Sequence, residues 1–295
     1  MEIELSNLGM KYGQTQVFSE LNARLTSGGL IGLLGPNGAG KSTLIKLLTT
    51  LAKPTTGDVR LNGDSIISKP NNMRKLLGYL PQQVPFYPNL TATEYLTYIA
   101  SIKGISNKDA RIQSDALLHQ VNLANTGNKQ LKDFSGGMQQ RVGIAATLLG
   151  DPQVIIADEP STGLDPEERV TLRNLFAELA SERLVIISTH IVSDIEAIAD
   201  DLLILNQGQF MYHGSPNELL KQSDGYVWEY SLSEHENTAN NRSDQMSSAL
   251  ISLIQGAQSI KVRQITARID EQNAHAVTPT LEEAYIGVLN GVIKL

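Results

Sequence analysis

The chain has 295 residues, 41% of them apolar, with 24 Lys and Arg against 31 Asp and Glu, a net charge of -7. That length and apolar share allow one large domain, or one domain with a smaller companion, and the acidic balance argues against a nucleic-acid binder that relies on bulk charge. The absence of cysteine excludes disulfides and any thiolate nucleophile or metal ligand. The start, Met1-Glu2-Ile3-Glu4-Leu5, has neither the basic nor the apolar region of a signal peptide. No apolar run approaches ~18 residues, so no membrane span is expected and a membrane role would run through a partner.

Taken in order, Ile3 and Leu5 alternate with acidic residues, Met10-Lys11-Tyr12-Gly13 reads as a turn, and a β-like pattern continues through Val17-Phe18 and residues 21–25. Leu30-Ile31-Gly32-Leu33-Leu34 is a short apolar run that predicts a buried strand, and Leu44, Leu47, Leu48 and Leu51 sit at i, i+3, i+4 and i+7 of a helix. Thr55-Thr56-Gly57-Asp58 predicts a turn before a short strand at Val59-Arg60-Leu61. Leu77-Gly78-Tyr79-Leu80-Pro81-Gln82 runs from a strand into a Pro-rich loop containing Phe86 and Tyr87.

Residues 90–150 then turn helical. Thr91 and Glu94 fit a capping box and Gly104 a stop, a second helix covers about 108–121, and a third runs from after Ser135-Gly136-Gly137 to Leu149. Val154-Ile155-Ile156-Ala157 returns to a buried strand, Leu172, Leu175, Phe176 and Leu179 mark a helix, and Leu184-Val185-Ile186-Ile187-Ser188 is a further strand. Strands alternating with helices imply a largely parallel sheet. A hairpin turns at Asn206-Gln207-Gly208, and Ser215-Pro216-Asn217-Glu218 opens a capped helix. From about Gln222 the composition shifts: residues 231–248 are polar and predict a loop, Ile260, Val262, Ile265 and Ala267 hint at strands, and Thr280 and Glu283 cap a last helix carrying Leu281, Ala284, Tyr285, Val288 and Leu289.

The chemistry concentrates around Gly35-Pro36-Asn37-Gly38-Ala39-Gly40-Lys41-Ser42-Thr43, which fits the phosphate-binding pattern G-x-x-x-x-G-K-[ST] between a strand and a helix. Glycines let backbone N–H groups close around a polyphosphate at the N-terminus of the following helix. Lys41 would sit on the β- and γ-phosphates and Ser42 would offer its hydroxyl to Mg²⁺. The run 154–157 ends in Asp158-Glu159, where the first carboxylate suits the Mg²⁺ shell and the second a general base on water. His190 ends a strand, where open α/β sheets place ligands. Gln82 reads as a loop amide or as a group reaching Mg²⁺ or the attacking water, and Tyr12 as a packing residue or a flat face for adenine. The remaining histidines (119, 213, 235 and 275) show no metal-ligand spacing.

Between these elements stands Phe134-Ser135-Gly136-Gly137-Met138-Gln139-Gln140-Arg141. With it, residues 1 to about 220 resemble the ATP-binding cassette (ABC) ATPases. The resemblance implies an α/β P-loop NTPase fold of the ABC type: a mixed-sheet core with an antiparallel β subdomain and a helical subdomain at about 88–150, together residues 1–221. Residues 222–295 then form a small α+β accessory domain. It implies adenine stacking by Tyr12, phosphate binding by residues 35–43, and Mg²⁺ held by Ser42, Gln82 and Asp158. Catalysis would rest on Glu159, His190, Gln82 and Lys41. The family signature falls on Ser135, Gly136 and Gly137, and the D-loop on Thr162-Gly163-Leu164-Asp165.

The implied cofactors are ATP and Mg²⁺. One copy of each motif implies pairing with a second cassette, most simply a homodimer. Phe134, Met138 and Thr162 depart from the commoner Leu, Gln and Ser. Met138 and the ending Thr278-Pro279-Thr280-Leu281-Glu282-Glu283-Ala284-Tyr285 resemble the ABC-2 exporter branch. That branch implies a separate membrane permease and a cytoplasmic location at the inner face of the cell membrane; the acidic balance and the lack of a long apolar run add the expectation of no nucleic-acid partner and no direct insertion. Phe86, Tyr87 and Tyr98 are candidate permease contacts in the helical part, or packing residues there. A soluble non-transport ABC ATPase or a regulatory nucleotide-binding module is the alternative.

Overall fold

The computed structural model describes residues 1–233, 250–255, 259–269, 271 and 273–295. An antiparallel sheet opens the chain: β1 (Glu2–Tyr12) pairs with β2 (Thr15–Thr26) on one side and β4 (Thr56–Leu61) on the other, with β5 (Asp64–Ser65) at the edge. The turn expected at 10–13 is narrower, because β1 runs through Tyr12 and leaves Gly13 and Gln14 to reverse the chain. The turn expected at 55–58 is largely strand. Gly57 holds φ 80° inside β4, and its Cα approaches β1 so closely that a Cβ would lie 2.3 Å from Asn7 O. The ladder shifts register between Ser6 and Gly9 at that point, a bulge that glycine permits.

The central sheet has the order β10-β9-β3-β8-β7-β6, formed by β3 (Gly29–Leu34), β6 (Leu77–Leu80), β7 (Val154–Asp158), β8 (Leu184–Thr189), β9 (Ala199–Asn206) and β10 (Gln209–Gly214). Five strands run parallel; β10 returns antiparallel through Gln207 and Gly208, both at positive φ. Side chains alternate faces along a strand, so the apolar runs serve two cores at once. Leu30, Leu34, Ile155, Ala157, Val185 and Ile187 enter one cluster, and Ile31, Leu33, Val154, Ile156, Leu184 and Ile186 the other.

The second cluster is closed by α1 (Lys41–Leu48), by Met73 of α2 (Pro70–Arg74) and by the antiparallel sheet. The first is closed by α3 (Ala92–Ile102), α4 (Asn107–Gln120), α5 (Gly136–Leu148) and α6 (Pro166–Ala180). Leu51 does not join α1. Thr50 turns to φ 60° and Leu51 N donates back to Lys46 O at 2.8 Å, which ends the helix and leaves Leu51 exposed. The capping boxes expected at Thr91, Ser215 and Thr280 are all formed, the last two opening α7 (Pro216–Gln222) and α8 (Leu281–Leu289).

A third, antiparallel sheet has the order β12-β13-β11-β14: β11 (Val227–Ser233), β12 (Leu250–Gln255), β13 (Ser259–Ile265) and β14 (His275–Ala276). Residues 231–233, expected in a polar loop, belong to β11, and 234–248 lie outside the described residues. Ala267, expected in a strand, falls just past β13. The last helix does not stay with this sheet alone. Leu281, Ala284, Tyr285 and Val288 are buried in the same cluster as Ile195, Tyr212 and Leu219 of the central unit.

Arg263 ties the third sheet to that helix. Its Nε and Nη2 donate to the two oxygens of Glu283 at 2.7 and 2.9 Å, and Nη2 also donates to Thr278 O at 3.2 Å. Burial pushes the Glu283 carboxyl up, but the bonds from Arg263 and Thr280 outweigh it and hold the group below its ordinary 4.5. A depressed folded pKa contributes stability that is present above the unfolded value and lost as pH falls through the folded one. Arg263→Ala is therefore expected to cost about 2–3 kcal/mol in chemical unfolding at neutral pH, and the gap between variant and wild type should narrow as pH falls below the ordinary 4.5 and through the depressed folded value.

Candidate active site

The loop from Gly35 to Gly40 leaves β3 and enters α1 with Gly38 at φ 82° and Gly40 at φ 111°. Such angles suit glycine and turn successive peptide N–H groups inward. Ala39 N donates to Pro36 O at 3.2 Å, which closes the loop on itself. Lys41, the first helical residue, is 6% exposed. Its Nζ donates to Gly35 O at 2.7 Å and Pro36 O at 3.3 Å and lies 3.6 Å from Glu159 Oε1. Burial lowers the Lys41 pKa below 10.5, against the pull of Glu159 and Asp158.

One cleft gathers this loop with residues far from it in sequence. Pro36, Asn37, Gly38, Gly40, Lys41, Ser42 and Thr43 line it together with Tyr12, Val17, Gln82 and Glu159. Tyr12 stands at the end of β1 and is 49% exposed, so it presents its ring rather than packing into a core. Gln82 is exposed on the loop after β6. Asp158 ends β7 and is buried, its carboxylate accepting a hydrogen bond from Ser188 Oγ.

Glu159 follows at φ 49°, an unusual left-handed conformation for a non-glycine residue that costs on the order of 1–3 kcal/mol and recurs at functional sites. Its N–H is held by Ser188 O at 3.0 Å and Ser188 Oγ at 3.3 Å. Its Oε2 lies 2.9 Å from His190 Nδ1, just past the end of β8. Ser188 thus positions both acids. Sequence reasoning passed over it, although a serine closing an apolar strand beside Thr189-His190 was a visible signal.

Ser135, Gly136 and Gly137 do not line this cleft. Ser135 is the N-cap of α5, its Oγ accepting from Met138 N at 3.2 Å, and both it and Gly136 are exposed. Gly137 is buried against α6, where a Cβ would collide with the Glu168 carboxylate. The N-terminus of this 13-residue helix is thus exposed at Ser135 and Gly136 and lies outside the cleft lining, and a helix start of this kind favours anions.

Residues 18–162 match the family model described as ABC transporter. The chain is 34% identical over 224 residues to Nod factor export ATP-binding protein I of Burkholderia orbicola, covering 76% of this chain and 74% of that protein. The chain belongs to the ABC transporter ATPases. It is also 38% identical over 207 residues to ABC transporter A family member 8 of Dictyostelium discoideum, covering 70% of this chain but 25% of that protein, so it spans about a quarter of that relative's length. Among solved structures, the dimeric structure of a bacterial ABC transporter cassette matches with a TM-score of 0.66 and 26% identity, over 72% of this chain and 98% of that one. The mixed central sheet, the antiparallel sheet and the helices around them are the ABC ATPase fold that the sequence led one to expect.

The site suits ATP with magnesium. The loop offers positive-φ glycines and a buried cation, and the cleft's oxygen donors are the hard ligands that Mg²⁺ prefers. Among the described residues no three His, Cys, Asp or Glu side chains could hold a metal by themselves, so an ion here would draw on hydroxyl, amide and phosphate oxygens around Asp158. Among the described residues no helix is long and apolar enough to cross a membrane.

Proposed function

We propose that this ABC ATPase hydrolyses ATP between two copies of itself and drives a separate membrane permease of the ABC-2 exporter type from the cytoplasmic face. The observation that carries the reading is the division of these features: the loop, Gln82 and Glu159 share one cleft, while Ser135, Gly136 and Gly137 lie outside its lining. A second, two-fold-related copy can bring its own Ser135, Gly136 and Gly137 against a triphosphate seated on residues 35–43, completing two equal sites. The dimeric cassette among the solved relatives supports that arrangement.

In this reading Tyr12 stacks on adenine, and the N–H groups of residues 35–43 and Lys41 Nζ take the phosphates. Mg²⁺, when bound, supplies charge neutralisation on the phosphate oxygens, and Ser42, Asp158 and Gln82 are the residues that would hold it. Glu159 accepts the proton of the attacking water, and His190, 2.9 Å away, orients that carboxylate and contacts the γ-phosphate. Lys41 moves from its present partners, Gly35 O, Pro36 O and Glu159, to the phosphate oxygens, which frees the Glu159 carboxylate for water. Loss of the γ-phosphate removes the contact shared by the two copies and lets them part.

Residues 222–295 form the accessory domain in this reading, with α8 packed back onto the ATPase unit. The permease contact falls on the helical part. Tyr87 and Tyr98 stand exposed there at 52% and 42%, edge to face with 5.5 Å between centroids, whereas Phe86 packs against Tyr95 and is partly buried. Export is supported by Met138, by the ending 278–285 and by the Nod factor export relative. Affinity purification of the tagged chain from detergent-solubilised membranes should retain a protein with about six spans of ~20 apolar residues each, and Tyr87→Ala with Tyr98→Ala should release it. Purification without any integral membrane protein would favour the soluble non-transport ATPase.

A further inference from the structure

Asp194 is a buried carboxylate, 6% exposed, to which the mechanism above gives no task. It lies in the 3-10 turn Val192–Asp194, which begins two residues after His190. Its Oδ2 accepts hydrogen bonds from Ser161 Oγ and from Thr189 Oγ1, the latter at 3.4 Å, and its Oδ1 lies 3.8 Å from Arg169 Nη1. Two of these partners lie just inside the Glu159–His190 pair in sequence: Ser161 stands two residues after Glu159, and Thr189 directly before His190.

The turn is held from other directions as well. Thr189 Oγ1 accepts from Ile191 N at 3.0 Å, and Arg173 Nη1 donates to Ser193 O at 2.8 Å. Arg169 also donates from Nε to Leu164 O at 3.2 Å, so the cation facing Asp194 grips the segment that follows Glu159. On the apolar side, Val192 and Ile195 are buried in the same cluster as α8 residues, and α8 touches the turn. The turn cannot slide along residues 159–164 without breaking bonds that converge on one side chain.

We infer that Asp194 is a positioning residue: through Ser161 and Thr189 it sets the register between the segment carrying Glu159 and the segment carrying His190, and so keeps their side chains in contact. The inference rests on the reading that Glu159 and His190 act on ATP. A displacement of about 1 Å in such a pair can cost up to ~10²-fold in rate without touching substrate.

The test compares kcat, KM and ATP affinity of the purified full chain in Ser161→Ala, Ser161→Thr, Asp194→Ala and the double variant, with Glu159→Gln alongside. Ser161→Ala is expected to lower kcat about 10-fold or more with ATP affinity unchanged within about twofold. Ser161→Thr, which keeps the hydroxyl, should restore most of that rate. Asp194→Ala should be at least as slow, and the double variant no slower than Asp194→Ala alone, because both break one link. Wild-type kcat in Ser161→Ala and Asp194→Ala beside an inactive Glu159→Gln overturns the inference alone. A loss in Ser161→Ala that appears in ATP affinity or melting temperature and not in kcat also overturns it. An active Glu159→Gln overturns the reading beneath it.

Discussion

Glu159→Gln is expected to slow ATP hydrolysis by about 10²–10⁴-fold, the contribution of a positioned general base, while ATP still binds. The amide has nearly the shape of the carboxylate, so the backbone bonds from Glu159 N to Ser188, which do not involve the side chain, should survive. The substitution removes the proton acceptor and the partner of Lys41 Nζ at 3.6 Å. Loss of that partner leaves Lys41 freer to meet phosphate, so ATP affinity should hold or rise. Single-turnover hydrolysis and equilibrium ATP binding on the purified variant check both halves. A near-wild-type turnover rate would remove Glu159 from its proposed role and leave the phosphate loop untouched.

Lys41→Ala is expected to weaken ATP binding by about 10- to 100-fold, equivalent to the ~1.5–3 kcal/mol of a charge-assisted hydrogen bond. The effect has two sources. The ammonium that would meet the phosphates is gone, and so are the bonds to Gly35 O and Pro36 O that close the loop from within. Glu159, 7% exposed, also loses its neighbouring cation. Two negative side chains, Asp158 and Glu159, then face the phosphates without compensation beyond magnesium. Calorimetric titration with ATP and Mg²⁺ reads the loss; unchanged affinity would contradict the assignment of residues 35–43 as the phosphate site.

Lys41 and Glu159 both sit in features that local sequence physics could reach. The strand–loop–helix around Lys41 was legible because an apolar run, a glycine-rich stretch and a 3.6-residue apolar period stand next to each other. The capping boxes at Thr91, Ser215 and Thr280 were legible for the same reason, since each is a bond between residues three apart. Leu51 was misread because the helix stops on a backbone conformation, Thr50 at φ 60°, that no glycine announces. Gly57 was misread because a glycine inside a strand looks like a turn until the neighbouring strand's approach is known.

The cleft itself was beyond local reasoning. Gln82 and Glu159 meet the loop across a separation that the order β3-β8-β7-β6 explains, and Tyr12 reaches it from β1 of the antiparallel sheet. Parallel neighbours place their C-terminal ends together, and with them Leu34, Thr189, Asp158 and Leu80. Resemblance to a family supplied that grouping; periodicity could not. Resemblance in turn says nothing of Ser188, Ser161 and Asp194, whose roles appear only as hydrogen bonds between segments about 30 residues apart. The burial of α8 in the central core was equally hidden, because an amphipathic helix does not declare which surface it will cover.

The proposed cycle requires two copies of this chain to close around ATP. Sedimentation of the Glu159→Gln chain with and without saturating ATP and Mg²⁺ measures this most directly. The predicted result is a nucleotide-dependent change from 32.1 kDa to about twice that mass, reversed by Ser135→Arg, which would put a bulky cation on the surface meant to meet the partner's nucleotide. A chain that binds ATP yet sediments as a monomer in every condition would contradict it.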